Sequence, residues 1–266
     1  MNGKKAVLVV SFGTSYTDAL EGCIAPTEAA IAAALPGRDL RRAFTSGMIL
    51  RKLERRDGLI FDDVPRALTR LLDEGYDDVV IQPTHIMNGE EYDKLAAQAA
   101  PLLPRFGRAV LGEPLLTGAE DYRAAAEALM AELPPTGAGE ALVLMGHGSE
   151  HFANAAYALL EYVLHDLGWK DAFVGTVEGY PALEQVMARL AERSGIDRVL
   201  LCPFMVVAGD HARNDMAGEE PDSWKSRLEA AGYAVNCMVR GLGELPGVRA
   251  RFAAHAREAA GLEESV

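Results

Sequence analysis

Short apolar runs recur along this chain, each followed by a turn rich in glycine or serine and then by a longer stretch with apolar residues at helical spacing. In the first half Val7–Val10, Leu40–Thr45, Asp78–Pro83 and Ala109–Leu111 read as strands; in the second, Leu142–Met145, Ala172–Thr176, Arg198–Pro203 and Ala234–Met238. Runs that are apolar on both sides of the pleat belong to parallel sheets covered on both faces. Between them the spacing predicts helices over Pro26–Ala34, Val64–Leu72, Tyr92–Leu102 and Tyr122–Leu133. The second half continues with Ala153–Leu164, Leu183–Arg193, Ser223–Ala231 and Val248–Ala260. Val207–Glu220 reads as a long loop, and Arg51-Lys-Leu-Glu-Arg-Arg56 as a basic patch that is either a substrate-facing rim or a solvated helix face.

The alternation breaks once, at Pro134-Pro-Thr-Gly-Ala-Gly139, where two prolines and two glycines stand within six residues. The halves on either side also share residues. Val10-Ser-Phe-Gly-Thr14 lies over Met145-Gly-His-Gly-Ser149, and Glu74-Gly-Tyr-Asp-Asp-Val-Val-Ile-Gln-Pro83 over Ser194-Gly-Ile-Asp-Arg-Val-Leu-Leu-Cys-Pro203, with Gly89 and Gly209 in register. The expected fold class is therefore α/β, with two similar lobes of βα repeats whose parallel sheets face each other across a cleft. The expected divisions are an N-terminal lobe 1–133, a linker 134–139 and a C-terminal lobe 140–266.

Composition narrows the function classes. A formal charge of −13 argues against nucleic acid and anionic membrane surfaces as partners. The three cysteines, Cys23, Cys202 and Cys237, are odd in number and far apart, which fits a reducing compartment better than a disulfide framework. The first apolar run is too short for a signal-peptide core, and no run approaches a membrane span, so the cytoplasm is the expected location. Neither GxGxxG nor GxxxxGK[ST] occurs, and no nucleotide or redox cofactor is expected.

The chemistry gathers at strand ends of the second half. In Ala141-Leu-Val-Leu-Met-Gly-His-Gly-Ser149 a buried strand stops at glycines that leave the imidazole of His147 at its C-terminal edge, where open α/β sheets bind ligands. Glu178 follows the next strand, and His211 follows the one after that. Two imidazoles and one carboxylate are an open donor set for a first-row divalent metal, with positions left for a substrate. Taken singly, Glu178 is also explained as a helix N-terminal charge and His211 as a solvated loop residue.

With these residues in view the chain resembles the class II, ATP-independent chelatases, specifically the anaerobic sirohydrochlorin cobalt chelatases. The resemblance runs essentially end to end. It rests on Ser11-Phe-Gly-Thr-Ser15, His85-Ile-Met-Asn-Gly-Glu-Glu-Tyr92, Met145-Gly-His-Gly-Ser149, Val177-Glu-Gly-Tyr-Pro181 and Pro203-Phe-Met-Val-Val-Ala-Gly-Asp-His211. It implies insertion of Co²⁺ into the tetrapyrrole sirohydrochlorin on the route to cobalamin, with Fe²⁺ as a second metal giving sirohaem. It implies too that His147, Glu178 and His211 bind the metal. His147 is the first choice for the base that takes a pyrrole proton, with His211 as the alternate. Substrate contacts are expected from Ser11, Phe12, Thr14, His85 and Glu90. Arg51 is expected to meet the carboxylates of the substrate, with Lys52, Arg55, Arg56, Lys94 and Arg213 nearby. Phe12 occupies the position that His147 holds in the second half, and its ring suits stacking on a macrocycle; a core role would explain it equally. His85 would equally serve packing. A homo-oligomer is compatible with the sequence. The competing readings are a bilobal metal or haem carrier without turnover, and a ferrochelatase acting on another porphyrin.

Overall fold

A computed structural model describes residues 3–134 and 137–262, and among them eight strands form where the apolar runs predict. One sheet holds β1 (Lys4–Ser11), β2 (Asp39–Phe44), β3 (Tyr76–Pro83) and β4 (Arg108–Leu111) in the order β2-β1-β3-β4. The other holds β5 (Glu140–Gly146), β6 (Ala172–Thr176), β7 (Arg198–Pro203) and β8 (Ala234–Cys237) in the order β6-β5-β7-β8. All the pairings between these strands are parallel. The two sheets thus repeat one topology, and the register repeats with it: Val10 lies opposite Pro83, and Met145 opposite Pro203. That is the correspondence the sequence duplication requires.

Central strands explain the unbroken apolar runs. Ala6 to Val10 on β1 have no exposed surface, and Ala141 to Met145 on β5 have almost none, because helices cover both faces. On one face of the first sheet Leu8, Val10 and Ile81 meet Leu68, Leu71 and Leu95. On one face of the second, Val143, Met145 and Leu201 meet Val186, Leu190 and Trp224. Each of these side chains contributes roughly 1.5–3 kcal/mol through the apolar surface removed from water.

The helices depart from expectation in three places. The first begins well before Pro26. α1 (Thr17–Ala19) runs through a π turn, Leu20–Ile24, into α2 (Ala25–Ala34). Proline lacks the amide that an α-helix needs for its bond four residues back, and the widened turn upstream lets the helix pass through it. Second, the basic patch, open between a substrate-facing rim and a solvated helix face, lies on a helix that extends beyond it at both ends, α3 (Gly47–Asp57). Ser46 opens it by accepting the amide of Ile49 at 3.4 Å, and Gly58, at φ 68°, closes it. Third, the loop Val207–Glu220 contains a π turn over His211–Met216.

The other helices are α4 (Val64–Asp73), α5 (Glu90–Ala99), α6 (Ala119–Glu132), α7 (Ala155–Asp166), α8 (Leu183–Ala191), α9 (Trp224–Ala230) and α10 (Pro246–Ala260). None of the described helices is long and apolar enough to cross a membrane.

The chain forms two compact units, Met1–Thr117 with Val248–Val266, and Gly118–Gly247. Two helices are exchanged relative to chain order. α6 follows β4 yet packs beside α7, within the second unit. α10 follows β8 yet belongs to the first, where Arg108 donates to the carbonyl of Ala259 at 2.9 Å. The proline–glycine segment 134–139 therefore runs inside the second unit. Its residues Pro135 and Thr136, like residues 1–2 and 263–266, lie outside the described part of the chain.

Candidate metal centre

In the second sheet the strand order reverses between β5 and β7, since β6 is reached in one direction and β7 in the other. The crevice at the carboxyl ends of such strands is where α/β sheets bind ligands. His147 leaves β5 one residue past its end, Glu178 follows β6, and His211 opens the π turn after β7. One ligand atom from each can be chosen so that all three lie within 4.8 Å of one another. The two imidazoles stand edge to face with centroids 4.8 Å apart, and Nδ1 of His147 is 3.8 Å from a Glu178 oxygen. Among the described residues this is the one such cluster of His, Cys, Asp and Glu. All three side chains are partly open to solvent, so the set is reachable by an ion and by a bulky substrate.

The backbone around the site is held tightly. The amide of Glu178 donates to the carbonyl of His147 at 2.8 Å, joining the two loops directly. Asn154, just before α7, joins them again. Its Oδ1 accepts the amide of Ser149 at 3.0 Å, and its Nδ2 donates to the carbonyl of Tyr180 at 2.6 Å. Glycine is required at two points. A side chain on Gly146 would collide with the ring of Tyr157 at 2.3 Å. One on Gly148, at φ 84°, would meet the Gly179 amide at 2.6 Å. Burial pushes the Tyr157 phenol up to about 12, so it stays neutral while it contacts the backbone of Gly148 and His147.

Hydrogen bonds also engage one nitrogen of each ring. Nδ1 of His147 lies 2.9 Å from the carbonyl of Gly148, and Nδ1 of His211 lies 2.5 Å from the carboxylate of Asp215. A carbonyl or carboxylate only accepts, so both Nδ1 atoms carry the proton and both Nε2 lone pairs are left for a metal.

At the corresponding edge of the first sheet the predicted residues divide by exposure. Phe12 is 44% exposed, which removes the core reading of that ring. Ser11 and Thr14 are buried, and their hydroxyls accept internally, from Thr84 at 2.8 Å and from the amide of Tyr16 at 3.1 Å. His85 is buried too. Desolvation holds its imidazole down to about 4, outweighing the attraction of Glu91, and Lys94 lowers it further. Nε2 of His85 is 3.5 Å from the Thr45 hydroxyl, and its Nδ1 has no hydrogen-bond partner among the described residues. Glu90 is exposed in the first turn of α5, and Arg51 is exposed on α3. The structure thus brings together His147, Glu178 and His211 at one edge, and Ser11, Phe12, Thr14 and His85 at the other.

Two contributors escape a reading based on strand ends. Asp215 is signalled by the i,i+4 spacing His211-Ala-Arg-Asn-Asp215. Asn154 carries no local signal, since its two partners come from separate loops.

Comparison with known proteins shows the family of the chain. The family model for the cobalt chelatase CbiK matches residues 5–261. The sirohydrochlorin cobaltochelatase of Salmonella typhimurium strain LT2 is 48% identical over 256 residues, covering 96% of both chains. The sirohydrochlorin cobaltochelatase CbiKC of Nitratidesulfovibrio vulgaris strain Hildenborough is 35% identical, covering 92% of this chain and 86% of its own. In fold, the chain is similar to the sirohydrochlorin chelatase SirB from Bacillus subtilis subspecies spizizenii in complex with cobalt. That match has a TM-score of 0.65 at 16% identity, over 98% of this chain and 97% of the other. A family match over nearly all of the chain, with two curated relatives at this identity, places the protein in the CbiK family of cobalt chelatases.

Proposed function

We propose that this protein inserts Co²⁺ into sirohydrochlorin, with Fe²⁺ as a second metal substrate, and that it does so without a nucleotide or redox cofactor. The observation that carries the reading is the convergence of His147, Glu178 and His211 at the switch point of the second sheet. Metallating a tetrapyrrole exchanges the ligands of the ion for four ring nitrogens and removes two pyrrole protons. Three donors in an open site hold the ion and still release it, which a closed four-ligand site would resist. As the ion leaves for the macrocycle, the freed Nε2 of His147 takes one pyrrole proton, with His211 as the alternate acceptor, and the other passes to solvent.

The first unit supplies the substrate contacts in this proposal. Phe12 offers its exposed ring to the macrocycle, and Arg51 on α3 offers a guanidinium to the peripheral carboxylates of the substrate. Glu90, His85, Ser11 and Thr14 shape and support that face. Buried Ser11 and Thr14 act through the backbone they brace. With three free cysteines and a charge of −13, the protein works in the cytoplasm, on a small molecule and not on nucleic acid.

The test is anaerobic mixing of protein, sirohydrochlorin and Co²⁺, followed by absorption. Many equivalents of product per chain are expected from the wild type and almost none from His147→Ala or His211→Ala. A single stoichiometric binding event without turnover would sink the enzymatic reading and leave a carrier.

A further inference from the structure

We propose that Asp215 is a positioning residue for metal loading: it fixes the tautomer and the ring plane of His211. The inference rests on the reading of His211 as a metal ligand. Its own support is the 2.5 Å contact between the Asp215 carboxylate and Nδ1 of His211. The two residues are four apart on the π turn His211–Met216.

That turn is anchored from within. Ala212 and Met216 are buried, and Met216 packs in the core beside Trp224 and Leu228. The backbone therefore has little freedom to swing, and the outward-facing pair His211 and Asp215 is presented at a fixed angle. Asp215 is not committed elsewhere: among the described residues no lysine or arginine pairs with it, whereas Asp210 has Asn214 at 3.0 Å.

The chemistry of the contact is directional. A carboxylate accepts only, so it keeps the proton on Nδ1 and the lone pair on Nε2, and it makes the imidazole a better donor to a cation. His147 gets its tautomer from a backbone carbonyl, which cannot be lost by substitution of a side chain. His211 gets it from Asp215, so one of the two imidazoles is tunable and the other is fixed.

The experiment compares Asp215→Ala, Asp215→Asn and His211→Ala. Co²⁺ is titrated alone by calorimetry and by its visible absorption, and chelation is measured at varied Co²⁺ and at varied sirohydrochlorin. Asp215→Ala is expected to weaken Co²⁺ binding by roughly 10- to 100-fold and to change the intensity of the Co²⁺ bands. The KM for Co²⁺ should rise, while the KM for sirohydrochlorin and the melting temperature stay put. Asp215→Asn keeps an oxygen acceptor and should recover part of the loss. If His211→Ala binds Co²⁺ as the wild type does, the metal-site reading itself fails. If His211→Ala loses Co²⁺ while Asp215→Ala matches the wild type in affinity and spectrum, the positioning role is overturned. Equal losses in Asp215→Asn and Asp215→Ala would also overturn the tautomer argument, because a carboxamide oxygen still accepts from Nδ1.

Discussion

At the end of β1 the amide of Ser46 donates to the carbonyl of Phe12 at 3.2 Å; at the end of β5 the amide of Glu178 donates to the carbonyl of His147 at 2.8 Å. One residue earlier, Thr45 bonds to Ser11 as Val177 bonds to Gly146. Further round, Leu115 donates to His85 at 2.9 Å where Leu242 donates to Met205 at 2.8 Å. These backbone bonds match from one edge to the other, although a helix follows Ser46 where a loop follows Glu178, and Glu91 lies in an α-helix where His211 opens a π turn. His147, Glu178 and His211 in one have Phe12, Ser46 and Glu91 in the other. In our proposal, a similar strand-end frame serves once for a cation and once for a flat apolar ring. On that proposal, function resides in three residue differences on a repeated frame and not in the fold.

The comparison can be broken most severely by making the second edge resemble the first. His147→Phe installs the residue that the first edge carries, and it should lower cobalt insertion by roughly 1,000-fold, about 4 kcal/mol of activation free energy. Rate constants at saturating sirohydrochlorin measure this; activity within tenfold of the wild type would mean that the imidazole is dispensable.

The next effect is on stability and concerns His85, whose counterpart is Met205. Burial holds the His85 imidazole down to about 4, against about 6.5 for a free histidine. Between those values the unfolded chain takes up a proton that the native chain refuses. Its contribution is full above about pH 6.5 and falls as the pH drops to about 4, by about 3 kcal/mol in all. His85→Met, which copies the second edge, should therefore lose less stability than the wild type between pH 7 and pH 4.5. Urea unfolding at the two values gives the difference, and parallel losses in both proteins would refute the assignment.

Phe12→Ala should weaken sirohydrochlorin binding by roughly tenfold, consistent with loss of one stacked ring, and leave Co²⁺ binding unchanged. Titrating each ligand without the other separates the two effects. The smallest effect expected is none at all. Phe12→His places an imidazole on the first edge, but Ser46 still stands where a carboxylate is needed, so cobalt titration should still give one equivalent per chain. A second equivalent would show that one imidazole suffices.

Much of this could be read from residues alone, and the exceptions have physical causes. The strands were legible because Ala6–Val10 and Ala141–Met145 are covered on both faces, which forces unbroken apolar runs. Helix α3 was legible as one of two readings and its bounds were not, because Leu53 is its one buried residue and gives periodicity little to register. The meeting of His147, Glu178 and His211 was legible because each follows a strand at a glycine-marked turn. The link from Asp215 to His211 lay inside what read as a loop, where its i,i+4 spacing is the one signal and no helical apolar pattern surrounds it. The exchange of α6 and α10 was invisible for a different reason. An apolar stripe such as Tyr122, Ala126 and Leu129 says that a face is buried, not which sheet buries it.

That exchange bears on how the chain tolerates being cut. A nick in the segment 134–139 would separate two polypeptides, yet neither would carry the helices of one whole unit. The earlier fragment would lack α10, whose Val248, Phe252 and Ala256 are buried. The later one would lack α6, on which Tyr122, Ala125 and Leu129 are buried. Each fragment would expose the apolar bed left by the missing helix, so the pieces should be insoluble apart and regain structure when refolded together. The boundary of the sequence repeat and the boundary of the compact unit therefore lie apart. Fragment complementation with a break at 134–139, compared with one at 247, would show how far.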